Sequence, residues 1–196
     1  MKLAFALAAA LVVTVGYLPY FKDLFARKTT PHIYTWFLWI LTQGTAVAAI
    51  IYGGGKLGGL GLTVGLLLMG AVFILSFKYG TKNITLSDTV LLVLALSAVI
   101  VWWQLDSPLL SVIMVSLIDG LAFVPTFRKT YAEPYSETLS FWILMALSDT
   151  LAMFANTEHN LLTMTYLSTL TAANLTVFVM MVIRRKKLAR NEGVGL

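Results

Sequence analysis

The sequence contains no cysteine and only two histidines, His32 and His159. Disulfides, thiolate metal sites and cysteine nucleophiles are therefore excluded by composition, and two histidines so far apart argue against a metal centre. No Ser–His–Asp set or phosphate-binding loop stands out either, so the expectation is a protein that is not an enzyme and carries no cofactor. Charge is scarce as well. Asp, Glu, Lys and Arg make up 12% of the chain against 59% hydrophobic residues, at a mean hydropathy of +0.84. A chain of 196 residues with that ratio cannot hide its apolar surface in a water-soluble core, which points to a membrane protein of several spans. The net charge of +5 lies in short loops and a tail, not on a soluble face. It fits orientation in a bilayer and not nucleic-acid binding.

What the chain does have is a passage written nearly twice. Residues 19–39 read PYFKDLFARKTTPHIYTWFLW and residues 125–142 read PTFRKTYAEPYSETLSFW. Each passage closes one apolar run and opens the next. Pro31 aligns with Pro134, Thr35 with Thr138 and Trp39 with Trp142, and Pro19 matches Pro125 once three residues are inserted in the first copy. A membrane unit duplicated in the same direction is the usual mark of a transporter built of two halves around a solute site.

Seven apolar stretches follow from hydropathy: 3–21, 32–52, 57–77, 86–104, 108–127, 135–156 and 161–183. Each is close to the ~20 residues that cross a bilayer as helix. The predicted fold is an all-α membrane protein with seven transmembrane helices, two parallel three-helix bundles joined by a linker helix. Its parts are a first repeat over 1–80, a linker over 81–106, a second repeat over 107–185 and a basic tail over 186–196. The first stretch imitates a signal-peptide core, but its removal would leave the first half without the counterpart of 108–127. Twelve of the 14 Lys and Arg residues fall on one set of alternate loops, leaving only Lys2 and Lys56 on the other. The N-terminus is thus predicted outside, with both repeated loops and the C-terminal tail cytoplasmic. No lysine lies between Leu161 and Ile183, which removes a retinal-bearing light receptor.

With a proline near the end of the first helix of each half, a basic loop after it and this topology, the chain resembles the PQ-loop superfamily. That group includes the SWEET sugar transporters, cystinosin-like exporters and bacterial nicotinamide-riboside transporters. Pro19 is followed by Tyr20 and Pro125 by Thr126, the second pair resembling the SWEET variant. The resemblance implies alternating access, with Pro19 and Pro125 as gating hinges. It also implies an Asn on the third helix of each half, a place Asn174 fills in the second half and nothing fills in the first. A sorting receptor of the wider superfamily shares the architecture, so a non-transporting receptor or trafficking protein is the alternative.

Ionisable groups inside a membrane are costly and are functional candidates by default. Two carboxyls fall deep in the stretches, Asp119 and Asp149. Asp119 lies nine residues before Arg128, roughly 13 Å along a helix, and Asn174 lies ten residues before Arg184 at a similar depth. Trp142, Asp149 and Asn156 recur every seventh residue and share about 40° of one helix face, with Met145 and Ala152 between them. His32, Trp36, Trp39 and Gln43 share roughly 60° of another. Trp39, Gln43, Trp142, Asp149 and Asn174 are the expected substrate-binding residues, with the two indoles as walls for a flat or ring-shaped solute and the polar groups as hydrogen-bond partners. Asp119 and Asp149 are the candidates for proton coupling. Helix-to-helix bonding by Asp119, Asp149, Gln43 and Asn174, and interfacial anchoring by Trp36, are the structural alternatives.

Pro31 and Pro134 fit the first turn of the helices that follow. Gate pairs are expected between Arg128 or Lys129 and Glu133 or Glu137, and between Lys22 and Asp23. Gly54, Gly58, Gly61 and Gly65 form a small-residue face for close packing, with a homo-oligomer surface left open. The partners expected are a small polar solute and the lipid bilayer, in a multi-pass protein of the cell (inner) membrane.

Overall fold

The computed structural model describes residues 1–81, 84–104 and 107–193, so Lys82 and Asn83 of the loop reading lie outside the described residues. Seven α-helices run through them: α1 Lys2–Phe25, α2 Ile33–Tyr52, α3 Gly59–Tyr79, α4 Leu86–Gln104, α5 Pro108–Ala132, α6 Leu139–Ala155 and α7 Leu161–Gly193. A 3-10 turn over Lys56–Gly58 leads into α3, and no strand occurs among the described residues. Among the described residues four segments are long and apolar enough to cross a membrane: Lys2–Phe25, Ile33–Tyr52, Lys56–Tyr79 and Leu161–Arg190. α6 is apolar but shorter, at 17 residues.

Helix ends deviate from the hydropathy boundaries at the prolines. Pro19 and Pro125 sit inside α1 and α5, each removing one backbone donor without ending its helix. Pro31 and Pro134 are not in first turns, contrary to expectation. Pro31 precedes the extended N-cap His32, and its carbonyl accepts from Thr81 N at 2.9 Å. Pro134 lies in a turn closed by Ser136 N to Glu133 O, and its carbonyl accepts from Arg185 Nε at 2.9 Å. Tertiary bonds hold both prolines outside the helices. The basic segment after Ile183 is helical, carried by α7 to Gly193.

The packing has an internal regularity. α3 packs on both α1 and α2, and α7 packs on both α5 and α6. Between the triples, α1 lies on α6 and α2 lies on α5, while α3 touches α6 and α7 touches α2. Exchanging α1 with α5, α2 with α6 and α3 with α7 turns each of these contacts into another of the same set. α4 stands apart from the exchange, against α5 and α2. Outward faces are apolar: Leu3, Leu7, Leu11, Val15 and Leu18 are exposed at helical spacing on α1, opposite its buried Ala6, Ala9, Val13 and Tyr17. Such a stripe suits hydrocarbon surroundings and not water.

Glycines bring α3 close to its neighbours. A Cβ at Gly61 would lie 3.0 Å from that of Ala9, and one at Gly58 would run into the Asn156 side chain. The face read from the glycine spacing is a packing face within the chain. Gly58→Ala should therefore destabilise the protein by about 1–3 kcal/mol through overpacking. Gly70→Ala, which meets nothing within 4 Å, should stabilise α3 by about 0.5–1 kcal/mol. Thermal unfolding of the two variants in detergent checks this; equal midpoints would deny the Gly58–Asn156 contact.

Candidate functional site

The carboxyls, the two aligned tryptophans and the two amides converge on one chamber. Trp39 and Gln43 come from α2, Asp119 from α5, Trp142 and Asp149 from α6 and Asn174 from α7, with Val13 of α1 and Gly65 of α3 completing the wall. Among the described residues every helix except α4 contributes. The chamber is narrow, with about 50 Å³ open to the centre of a water-sized sphere. That is room for a few waters, which need ~10–15 Å³ each on this measure.

Asp119 is fully buried and accepts hydrogen bonds at Oδ1 from the Thr42 hydroxyl of α2 and, at 3.2 Å, from Tyr166 Oη of α7. Asp149 Oδ2 accepts from Asn174 Nδ2 at 2.9 Å, joining α6 to α7. Gln43 Nε2 donates to the Leu62 carbonyl of α3 at 2.7 Å. Each of these groups thus ties helices together, as the structural alternative foresaw, and does so at the chamber wall. Among the described residues three buried polar atoms of the wall side chains have no hydrogen-bond partner: Trp39 Nε1, Trp142 Nε1 and Asp119 Oδ2. Leaving such an atom unpaired costs about 1–3 kcal/mol, so two donors and one acceptor remain for a solute with complementary groups.

The tryptophans do not form a slot. Their ring centroids are 6.1 Å apart at an interplanar angle of 72°, and Phe123 lies 4.8 Å from Trp39 and 6.0 Å from Trp142. Tyr17, Tyr20, Trp36 and Phe141 extend the cluster, with Tyr20–Phe141 at 4.7 Å and Trp36–Trp39 at 5.2 Å. All come from the helix ends beside the two repeated loops. The cluster is a plug of tilted and edge-to-face aromatic rings between the chamber and the basic end.

Beyond the plug the two repeated loops are stitched to each other. Thr29 and Thr138 share a hydroxyl hydrogen bond of 2.9 Å, and Thr138 Oγ1 donates to Asp23 Oδ2 at 2.8 Å. Lys129 pairs with Glu137 and donates to the Thr30 carbonyl at 2.8 Å. Of the expected gate pairs, Lys129–Glu137 is present, whereas among the described residues no ion pair joins Lys22 to Asp23 or either cation to Glu133. Arg128 turns instead to Asp88 at the start of α4, at 3.2 Å, and His32 Nε2 lies 3.3 Å from the same carboxyl. Asp88 is 2% exposed, a buried carboxyl that hydropathy hides because it opens an apolar helix. Pro125 is buried beside this layer, and Pro19 lines a separate polar hollow with Asp23, Lys28 and Arg185. The prolines are thus not part of the chamber. Thr42 and Tyr166 were not singled out by the sequence reading, although Tyr166 shares the four-residue spacing of Leu170 and Asn174.

No family model matches the chain, and no curated protein and no solved structure matches it. Asp149→Ala should destabilise the fold by about 1–3 kcal/mol, because Asn174 Nδ2 loses its buried acceptor, while Asp149→Asn, which keeps an acceptor oxygen, should cost less than about 1 kcal/mol. Unfolding midpoints in detergent decide; an alanine variant as stable as the asparagine one would rule out the Asp149–Asn174 bond.

Proposed function

We propose that this chain is a PQ-loop-like transporter or facilitator of a small polar solute, with seven spans arranged as two three-helix halves and a linker, α4. The observation that carries the reading is the chamber at the crossing of the two triples, whose packing is unchanged by exchanging them. A fixed site between rocking halves is how such repeats achieve alternating access. The stitched loops and the aromatic plug correspond to a state closed at the basic, cytoplasmic end. Opening would separate Thr29 from Thr138 and the rings of α1 and α2 from those of α5 and α6, with Pro19 and Pro125 as bending points. The orientation, N-terminus outside in the cell membrane, rests on the lysine and arginine distribution.

Trp39, Trp142, Gln43, Asp149 and Asn174 are the solute-facing groups in this scheme. Asp119 and Asp149 are the candidates to carry a coupled proton. The narrowness of the chamber favours a second reading, a non-transporting receptor, since a filled centre needs no solute. Proteoliposome uptake of solutes chosen by thermal stabilisation of the purified chain distinguishes the two. The transport reading predicts saturable uptake down a solute gradient, with a pH dependence altered in Asp119→Asn or Asp149→Asn. Unchanged profiles in both variants would remove the coupling, and no uptake of any stabilising solute would remove transport.

A further inference from the structure

A further hollow lies on the face of α7 turned away from the chamber. Thr176, Met180, Ile183 and Lys187 follow each other at three- and four-residue steps, one stripe of the helix, whereas Asn174 is about 160° round from Thr176. With Tyr131 of α5 and Arg184 they line a groove of about 520 Å³, ten times the chamber on the same measure. Its lower wall is apolar and open, with Val179 49% and Ile183 47% exposed.

The end of the groove is cationic and partly preset. Arg184 Nε donates to the Tyr131 carbonyl at 2.9 Å, and its guanidinium lies 4.3 Å from the Tyr131 ring centre. These two contacts hold the planar fork in place, while its terminal amino groups make no hydrogen bond among the described residues. Lys187, one turn on, is exposed and without an ion-pair partner among the described residues. Among the described residues no acidic residue lines the groove. An apolar trough running along a helix and ending in an oriented guanidinium and an ammonium matches one kind of molecule, an acyl chain attached to a phosphate.

We infer that the α5–α7 groove is a binding site for a phospholipid with a net negative headgroup, its acyl chain along Thr176, Met180 and Ile183 and its phosphate at Arg184 and Lys187. The site requires a bilayer around the chain but not transport, so its failure would leave the transport reading untouched. The test titrates the full chain, washed free of lipid in detergent, with phosphatidylglycerol, phosphatidylcholine or inorganic phosphate, following the melting temperature. Phosphatidylglycerol should stabilise saturably. Lys187→Gln should weaken its half-saturation about fivefold, and Lys186→Gln, which removes the same charge one step round the helix, by about twofold or less. Equal stabilisation by phosphatidylcholine, an equal response to phosphate alone, or equal losses in the two lysine variants would each overturn the site.

Discussion

A carboxyl group among apolar side chains needs hydrogen-bond donors, and in this fold the donors for Asp119 and Asp149 come from other helices. Thr42 and Tyr166 bring α2 and α7 to Asp119 on α5, and Asn174 brings α7 to Asp149 on α6. Four helices are thereby pinned to one another, and the chamber lies where they meet. Gln43, bonded to the Leu62 carbonyl, ties in α3 as well. Apolar packing alone would bring these helices together, but it would not fix which residues meet.

The two ends of the chamber are held differently. At the basic end the closure is layered: interlocked rings, then hydroxyl and carboxyl bonds between the two repeated loops, then the Asp88 cluster at the start of α4. Each hydroxyl bond contributes about 1 kcal/mol. The exposed side of the ionic layer contributes less. A closure made of several weak contacts can be exchanged for another arrangement at modest cost, as the proposed opening requires. At the opposite end glycine-to-amide packing prevails, with Asn156 against Gly55 and Gly58 and its Nδ2 donating to the Thr163 carbonyl at 3.0 Å. Such close contacts leave little room for rotamer change.

Helical periodicity made the inward faces legible. His32, Trp36, Trp39 and Gln43 of α2 and its N-cap, and Trp142, Met145, Asp149, Ala152 and Asn156 of α6 and its C-cap, are all buried. The matched Trp39 and Trp142 do meet at the centre, because equal places in two copies of one passage reach the same depth. What the pattern did not disclose were partners far apart in the chain: Thr42 and Asp119 are 77 positions apart. Nor did it show that the tryptophans meet edge to face, since spacing sets a direction from the helix and not the angle between rings. Asp88 escaped for a related reason, a carboxyl at a helix start being unremarkable until the fold sets Arg128 and His32 beside it. α6 starts later than hydropathy suggested, since Pro134 lies in a turn closed by Ser136 N to Glu133 O.

The central claim is that the two repeated loops part and rejoin at the basic end while the chamber stays fixed. The absence of cysteine allows it to be tested with no background substitutions. In Thr29→Cys/Thr138→Cys, the hydroxyl separation of 2.9 Å places the two thiols within reach of a disulfide. The measurement is solute exchange across proteoliposomes before and after oxidation, and again after reduction. The account predicts efficient cross-linking, exchange abolished in the oxidised protein and restored by reductant, with either single variant indifferent to oxidant. Undiminished exchange in a fully cross-linked protein would contradict it.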